Sequence, residues 1–263
     1  MMKPGILAIL LGFVLSASVS MHAVAQEAVV DPAAAKMLKQ MTDHIGSLKQ
    51  FSVHSQNTLE DVLESGQRID EDISASVTIS RPNKLRGERL GGLLNQQFYY
   101  DGKNLTLYNP SDKVYATESA PATIEGMLDF IHQSLGLIIP ASDFIYPNAY
   151  ALLMQDVTSA IVVGKSVING NICNHLAFSR PAVDFQVWVA EKGEPLPCKY
   201  VVTDTSTAEL LSISSVLSDW NFAPEINETT FSFAPAKGDL QIKFLPANTS
   251  NGSTSNNDSG ASK

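Results

Sequence analysis

In the stretch VDFQVWVAEKGEPLPCKYVVTD, Val183 to Asp204, apolar and polar residues alternate with the period of a β-strand. The alternation places three apolar side chains on the core-facing side of its first strand, namely Phe185, Val187 and Val189. Trp188 falls on the opposite side, so we expect it on the outer or edge surface of the sheet. Lys192-Gly193 provides a turn, and the stretch is therefore predicted to be a sheet hairpin rather than a catalytic site.

Further segments with the same alternation extend this hairpin into an antiparallel sheet. They are ASVTIS (75–80), QFYYDGKNLTLYNPSDKVYA (97–116), SAIVVGKSV (159–167), NICNHLAFSR (171–180), LLSISSVLSDWNF (210–222) and NETTFSFAPAKG (227–238). The second of these is itself a hairpin, because Asp101-Gly102 provides a tight turn. Strand parity directs four of its side chains inward, namely Phe98, Tyr100, Leu105 and Leu107. In the last segment, parity places Phe231 and Phe233 on one side of a short strand.

Three other segments carry the three- and four-residue spacing of amphipathic helices. The first begins at Pro32, with Asp31 as its N-cap. Its apolar stripe consists of Ala34, Met37, Leu38, Met41, Ile45 and Leu48. The second begins near Pro121 and directs Met127, Leu128 and Ile131 to one side. A shorter helix is predicted within NAYALLMQD (148–156), and all of these stripes need an apolar surface to cover.

One long sheet with few helices favours a mainly β fold with helices, of the α+β class. The most economical packing is a strongly curved antiparallel sheet, an open half-barrel, whose concave face is covered by the helices as a lid. A closed barrel and a two-sheet sandwich are the alternatives. A sandwich would leave both amphipathic helices without an obvious surface to cover. A half-barrel with a helical lid implies an interior that can open.

The two ends of the sequence differ from this central part. Residues 1–25 have the pattern of a secretory signal peptide, with Lys3 before an apolar run and small residues up to Ala25. Cleavage after Ala25 would leave no transmembrane anchor and would deliver the protein to the periplasm. Residues 26–245 are predicted to form one half-barrel domain, and the polar segment 246–263 is predicted to be a disordered tail.

The net charge argues against one large class of partners. The formal charge is −9, and it becomes −10 without residues 1–25, because that segment contains Lys3 and no acidic residue. Nucleic-acid binding requires a clustered basic face that neutralises phosphates. This chain is therefore not expected to bind nucleic acid.

Recognisable catalytic and metal-binding motifs are missing from the sequence. The histidines beyond the signal peptide are not spaced as metal-ligand pairs, and the two cysteines form no CxxC motif. No G-x-S-x-G nucleophile motif is present. We therefore predict no catalytic residue, no metal and no cofactor, and a hydrolase is the least favoured of the functions considered.

Cys173 and Cys198 are the only cysteines, and an exported chain favours a disulfide between them. The strand assignment raises an objection, because the two residues begin the first and the third of three successive strands. Two strand spacings are about 10 Å, which is beyond the reach of a disulfide. Either the Pro195-Leu196-Pro197 segment bends Cys198 across the strand end, or the thiols are free; we favour the bond.

Four basic residues, Arg81, Lys84, Arg86 and Arg89, lie within nine positions of an otherwise acidic chain, and the first three are the candidates for a basic rim. A run of this kind is usually a solvated strand and its loop. The alternative is a basic rim that steers an anionic headgroup or an acidic partner toward the sheet.

Several phrases of the sequence together resemble a family of predicted periplasmic proteins, the domain of unknown function 2092. They are VTISRPNKLRGE (77–88), FYYDGKNLTLYNPSDKVYA (98–116), CNHLAFSRPAVDFQVWVAEKGEPLPCKYVV (173–202) and FSFAPAKG (231–238). That family is similar in pattern to outer-membrane lipoprotein carriers of the LolA type. The resemblance implies a curved sheet, a helical lid and a hydrophobic cavity between them, which takes up acyl chains in the carriers.

Two functions with different partners follow from these observations. The first is a periplasmic binding or carrier protein that holds a lipid or an acylated protein between the sheet and the lid. The residues predicted to line its cavity are Phe98, Tyr100, Leu105, Leu107, Met127, Leu128, Ile131, Phe185 and Val187. The second is a non-enzymatic structural or interaction protein of the envelope, whose partner is another envelope protein.

Overall fold

The computed structural model describes residues 29–92 and 94–244. The predicted signal peptide, residues 1–25, and the predicted polar tail, residues 246–263, lie outside the described residues. The domain bounds of 26–245 therefore stay a prediction. The helices, strands and contacts of the fold are those of the described residues.

Twelve strands form one continuous sheet in this part of the chain. They are β1 (Gln50–Val62), β2 (Arg68–Ser80), β3 (Lys84–Gly91), β4 (Asn95–Tyr100), β5 (Asn104–Asn109), β6 (Val114–Ser119), β7 (Ser159–Ile168), β8 (Asn171–Arg180), β9 (Val183–Ala190), β10 (Pro197–Asp204), β11 (Ser212–Asn221) and β12 (Leu240–Gln241). Their order is β12-β6-β5-β4-β3-β2-β1-β11-β10-β9-β8-β7. The pairs are antiparallel except for β12 with β6. Because β12 and β7 lie at opposite ends, the sheet is open, and the closed barrel and the sandwich are both excluded.

Three α-helices and one short 3-10 helix cover one face of this sheet. They are α1 (Pro32–Ser47), α2 (Ile124–Leu135), the 3-10 helix (Ser142–Ile145) and α3 (Ala149–Met154). A single core joins their apolar side chains to those of strands as far apart as β5 and β8, through Leu105 and Leu176. The sheet therefore curves around the helices, and the predicted α+β half-barrel is confirmed. We call the helix-covered face concave and the opposite face convex.

The helices begin and end where local hydrogen bonding dictates. Asp31 caps α1 as predicted, since its carboxylate accepts a hydrogen bond from the Ala33 amide at 2.8 Å. The second helix begins at Ile124, not near Pro121 as predicted. Thr123 is its N-cap, and the Thr123 hydroxyl accepts a hydrogen bond from the Gly126 amide at 3.2 Å. A capping side chain thus outweighs the preference of proline for the first turn.

The hairpin predicted from Val183–Asp204 is confirmed as β9 and β10. Trp188 lies on the convex side, opposite the core, as its parity predicts. It is nevertheless buried, with only 8% of its surface exposed. The His175 ring stacks on the indole at 4.0 Å between centroids, and the Lys199 ammonium lies 5.2 Å from it. Neighbouring strands therefore cover a side chain that we expected at the outer surface.

The disulfide between Cys173 and Cys198 is formed, with the two Cα atoms 6.7 Å apart. Cys173 pairs with Ala190, the last residue of β9. The register between β9 and β10 is interrupted by a bulge between Pro197 and Lys199, which contains Cys198. The bulge brings Cys198 across the end of the intervening strand. This resolves the distance objection in favour of the first alternative.

The prediction of a short strand within 227–238 is wrong. Asn227 instead makes a turn, in which its side-chain oxygen accepts hydrogen bonds from the Thr229 amide and the Thr230 hydroxyl. Phe231 is buried, and Phe233 packs against tyrosines on the convex face. The only C-terminal strand of the described chain is the two-residue β12, which lies beyond this segment.

Candidate ligand cavity

An apolar cavity of about 120 Å³ lies between the concave face and the helical layer. Its floor is formed by alternate residues of β1, namely Phe51, Val53, Ser55, Asn57 and Leu59, which all point the same way. Neighbouring strands add Ile73, Ala75, Val77, Leu85, Phe98, Leu105 and Leu217. We call this space the first cavity. Its wall is dominated by hydrocarbon and aromatic carbon, so it suits an apolar occupant.

A second cavity of about 350 Å³ lies beside the first. Its walls come from α2, the 3-10 helix and the concave sides of β10 and β11, including Leu128, Tyr200, Val202 and Ile213. It is more polar, because Asp129, His132 and Asp143 also contribute to its lining. The two spaces therefore differ in chemistry as well as in volume.

The segment Leu137–Ala141 separates the two cavities, and we call it the partition. Ile138, Ile139, Pro140 and Ala141 belong to the lining of both spaces. The partition begins after Gly136, which has φ +62°, and ends at Ala141, which has φ +58°. Both residues are in the left-handed region, so the chain turns sharply at each end. Ile138 is an apolar side chain with 54% of its surface exposed.

Two tyrosine hydroxyls hold the 3-10 helix and the segment after it in place. The Tyr200 hydroxyl donates a hydrogen bond to the Asp143 carboxylate at 3.0 Å, which joins β10 to the 3-10 helix. The Tyr146 hydroxyl donates to the Asp129 carboxylate of α2 at 2.8 Å. Burial, together with these carboxylates, raises the pKa of both tyrosines above the ordinary value. The hydroxyls therefore keep their protons as donors.

Polar side chains interrupt the apolar floor at one place. Asn57 on β1 lies directly opposite Ser215 on β11, and each has 2% or less of its surface exposed. Asn57 belongs to the lining of the first cavity and Ser215 to that of the second. The Asn57 Oδ1 and Ser215 Oγ atoms have no hydrogen-bond partner within the described residues. A buried polar pair thus lies where the two cavities meet.

Arg89 is the basic side chain in the wall of the first cavity. Its Nε donates a hydrogen bond to the Gln96 side chain at 2.5 Å, and its Nη1 donates to the Ile138 carbonyl of the partition at 3.5 Å. Burial lowers the pKa of the Arg89 guanidinium. Glu88 also contributes to the lining, but its carboxylate is paired with Arg86 at 2.5 Å. Arg89 therefore offers a positive charge to an occupant of this cavity.

The predicted cavity residues divide into three groups. Phe98, Leu105 and Ile131 belong to the wall of the first cavity, and Leu128 and Ile131 belong to that of the second. Four others are buried in the surrounding core without forming part of either wall, namely Tyr100, Met127, Phe185 and Val187. Leu107 is half-buried and pairs with Phe98 on the neighbouring strand. Strand parity and helical spacing identified the residues that face the interior. They did not identify which of those residues line a cavity.

The three basic rim candidates do not form one patch. Arg81 donates a hydrogen bond to the Ile145 carbonyl at 2.7 Å, and burial lowers the pKa of its guanidinium. Arg86 lies on the convex face, 3.7 Å from the centroid of the Tyr99 ring. Lys84 also lies there, 6.0 Å from the Phe231 ring. Arg81 thus faces the helices while the other two face away from the cavity.

The sequence reasoning missed the features that distinguish this cavity from an ordinary core. Asn57 carried one signal, since it is a buried-parity amide in the alternation Phe51, Val53, Ser55, Asn57, Leu59. Ser215 carried a weaker sequence signal, because serines occur on both faces of β11 and an inward serine does not stand out. The partition gave no signal, since its residues read as the end of a helix.

The helices in the described part of the chain fall short of the length and hydropathy that a bilayer crossing requires. Within the same residues, histidine, cysteine, aspartate and glutamate side chains do not gather in groups of three or more that would hold a metal ion.

Several solved structures are similar to this fold at low sequence identity. LprF from Mycobacterium bovis is 12% identical, with a TM-score of 0.48 over 76% of this chain and 99% of that chain. Lipoprotein LppX from Mycobacterium tuberculosis is 16% identical, with a TM-score of 0.44 over 75% of this chain and 100% of that chain. A LolA superfamily protein from Nitrosomonas europaea is 11% identical, with a TM-score of 0.37 over 76% and 97%.

No curated protein sequence matches the chain. A family model described as predicted periplasmic protein (DUF2092) matches residues 34–245, which include all the helices and strands given above except the first two residues of α1. The family resemblance of the sequence phrases is therefore confirmed. The chain belongs to the DUF2092 family of predicted periplasmic proteins.

Proposed function

We propose that this protein is a periplasmic binding or carrier protein that holds an acyl chain, from a lipid or an acylated protein, between the concave face and the helices. The observation that supports the proposal is the first cavity, an apolar space between the concave face and the helices. Apolar surface leaves water favourably, by about 25 cal/mol per Å². An acyl chain would gain this free energy over the part of it that the first cavity encloses.

The covering layer is suited to admitting such a ligand. The helices contact the sheet mainly through side chains, with a few backbone hydrogen bonds at their N-terminal ends, whereas the strands are joined throughout by backbone hydrogen bonds. Displacement of the partition would join the two cavities without breaking any pair of the sheet. Met41 of α1 and Met127 of α2 are fully buried. Their flexible side chains can adapt to irregular shapes.

Export is part of the same proposal. The family is described as periplasmic, and the sequence pattern of residues 1–25 supports cleavage after Ala25. N-terminal sequencing of the protein recovered from periplasm should begin at Gln26. A protein that retains residues 1–25 would contradict this part of the proposal.

The test of the proposal is a direct measurement of acyl-chain binding. The full mature chain is titrated with octadecanoic acid in a calorimeter, and ligands retained from the host are identified by native mass spectrometry. Ala75 lies in the floor of the first cavity, so Ala75→Leu should fill part of the space and weaken binding about tenfold. Ala177 is a half-buried alanine of the convex side, and Ala177→Leu is the matched control. Equal binding by both variants, or absence of binding by the parent chain, would refute the proposal.

A second candidate function, an interaction protein of the envelope, is favoured by the edge strand β7. Its first residues are occupied, because Ala160 exchanges backbone hydrogen bonds with Val29 and Asp31. Beyond them, Ile161, Val163 and Val167 are 49%, 51% and 68% exposed. An exposed apolar edge can accept an extended segment of another protein as an added strand.

A charged substitution on the exposed edge of β7 would distinguish the second candidate function from the first. Val163→Lys should abolish co-purification of an envelope protein and leave octadecanoic acid binding unchanged. Co-purification that persists in the variant would exclude β7 as the interacting surface.

A further inference from the structure

We propose that the Asn57–Ser215 pair recognises a hydroxyl group on the acyl chain, so that the preferred ligand class is a hydroxylated acyl chain rather than a plain one. The inference rests on the proposed function and specifies its ligand. It starts from two buried polar side chains on the apolar floor, where the first and second cavities meet.

The orientation of the Asn57 amide follows from its hydrogen bonds. Its Nδ2 donates to the Ile73 carbonyl of β2 at 3.1 Å and to the Ser55 hydroxyl at 3.0 Å. An amide nitrogen has two hydrogens, so both are used. The remaining polar atom of this side chain is Oδ1, an acceptor without a partner in the described chain.

Ser215 provides the complementary group on the neighbouring strand. It is the register partner of Asn57 in the β1–β11 pairing, and opposite Cβ atoms in such a pair are about 5 Å apart. Its Oγ is also without a partner among the described residues, and the residue is 1% exposed. A serine hydroxyl both donates and accepts a hydrogen bond.

An alcohol fits this pair of atoms better than other polar groups do. The hydroxyl of a ligand would donate to Asn57 Oδ1 and accept from Ser215 Oγ, which satisfies both side chains with one atom. A carboxylate only accepts, and would face the Asn57 acceptor with its own negative charge. A plain methylene chain would leave both buried atoms without hydrogen bonds, which disfavours its binding.

The location of the pair also fits a group within a chain better than one at its end. Asn57 faces the first cavity and Ser215 faces the second. An acyl chain that extends from the first cavity into the second therefore crosses the Asn57–Ser215 pair. Arg89 lies in the wall of the first cavity as a separate charged group. The protein therefore offers different partners for the acidic head group of a ligand and for a hydroxyl group along its acyl chain.

Calorimetric titration of the full mature chain with three ligands of equal length tests the inference. These are octadecanoic acid and its 3-hydroxy and 12-hydroxy derivatives. At least one hydroxy derivative should bind about tenfold more tightly than octadecanoic acid, as expected for hydrogen bonds to buried unpaired groups. Ser215→Ala removes only the hydroxyl and should reduce this preference to about twofold or less, while octadecanoic acid binds as well as before or better.

Ser214→Ala is the matched control, because Ser214 belongs to the same strand but points to the convex face. It should retain the full preference. Asn57→Leu removes the acceptor and is a second variant, but it also removes the hydrogen bonds to Ile73 and Ser55. Its interpretation therefore requires an unchanged thermal unfolding midpoint.

The outcomes separate this inference from the function on which it rests. If all three ligands bind equally to the parent chain, or if Ser215→Ala keeps the preference, hydroxyl recognition is refuted while acyl-chain binding stands. If none of the three binds, both are refuted. A preference that Ser215→Ala removes and Ser214→Ala retains supports the inference.

Discussion

The convex and concave faces of the same sheet are packed in opposite ways. On the convex face, Trp188 packs with the Cys173–Cys198 disulfide and stacks on His175, and Phe233 packs among Tyr99, Tyr108 and Tyr115. On the concave face, the helices leave two cavities, and polar atoms of the floor lack partners within the described residues.

The contrast between the two faces indicates which part of the molecule can change shape. The convex contacts join one strand to the next, or fasten the C-terminal segment to the sheet, so they stiffen the curvature. The concave contacts join the sheet to the helices and the partition, which are not hydrogen-bonded into the sheet as strands. Stiffness on one face and space on the other are what a ligand-binding half-barrel requires.

Loss of the disulfide should have the largest effect on stability. The bond spans a sequence separation of 25, and closing a loop of that size contributes about 3 to 4 kcal/mol in the chain-entropy model. Replacing both cysteines by alanine should lower the free energy of unfolding by about that amount in urea titrations. Acyl-chain affinity should be unchanged, since both cysteines lie on the convex face. A parallel loss of affinity would show that the faces are not independent.

Removal of the Phe233 ring should have the next largest effect. The ring centroid lies 5.3, 5.0 and 4.9 Å from those of Tyr99, Tyr108 and Tyr115. Because Phe233 is only half-buried, Phe233→Ala should cost about 2 kcal/mol, less than the roughly 3 to 5 kcal/mol typical of a fully buried phenylalanine. Phe222→Ala is the control, since Phe222 is 39% exposed. Thermal unfolding should distinguish them, and equal midpoints would contradict a stabilising role for the tyrosine cluster.

Loss of the Tyr200 hydroxyl tests the concave face. Tyr200→Phe removes the hydrogen bond to Asp143 and should lower the free energy of unfolding by about 1 kcal/mol. It should also loosen the covering layer, so hydrogen exchange in the 3-10 helix should become faster. Tyr150→Phe on α3 is the matched control. Unchanged exchange in Tyr200→Phe would contradict the proposed fastening.

The same tyrosine predicts a dependence of stability on alkaline pH. Burial and Asp143 raise the pKa of Tyr200 in the folded state above the unfolded value of about 10. The folded chain therefore binds more protons than the unfolded chain above that pH, and stability falls as pH rises beyond about 10. Burial also raises the pKa of Tyr100 to about 12, so part of the fall should remain in Tyr200→Phe. Identical pH profiles for the parent and the variant would contradict this assignment.

The smallest expected effect concerns Arg89 and the head of the ligand. Arg89→Gln should weaken binding of octadecanoic acid about threefold and leave binding of its methyl ester unchanged, because only the acid carries a charge. Lys84→Gln on the convex face is the control. Equal changes for acid and ester would assign Arg89 a packing role instead.

Much of the fold was predictable because it depends on short-range patterns. Period-two alternation identified most strands, and the caps and apolar stripes identified the helices. The prediction was wrong for 227–238, where Phe231 and Phe233 alternate as in a strand but Asn227 makes a turn with its own backbone. The depth at which Trp188 lies was also not predictable, since it depends on the neighbouring strands.

The candidate site was predictable only as a face. Strand parity placed Phe98 and Leu105 toward the interior, and helical spacing placed Ile131 there. All three form part of the first cavity wall. Parity gave the same result for Phe185 and Val187, which lie in closely packed core. Whether an inward residue meets a neighbour or a cavity depends on the volume of side chains that arrive from distant segments, such as the partition.

The α+β class, the antiparallel strands, the helical layer and the family follow from the amino-acid sequence alone, because each is encoded in local periodicity or in recognisable phrases. Three features required the three-dimensional structure: the sheet is open, a bulge brings Cys198 to Cys173, and Asn57 lies opposite Ser215 at the floor of two cavities. Those features depend on register and packing between residues far apart in the chain, which a pattern read along one segment does not contain.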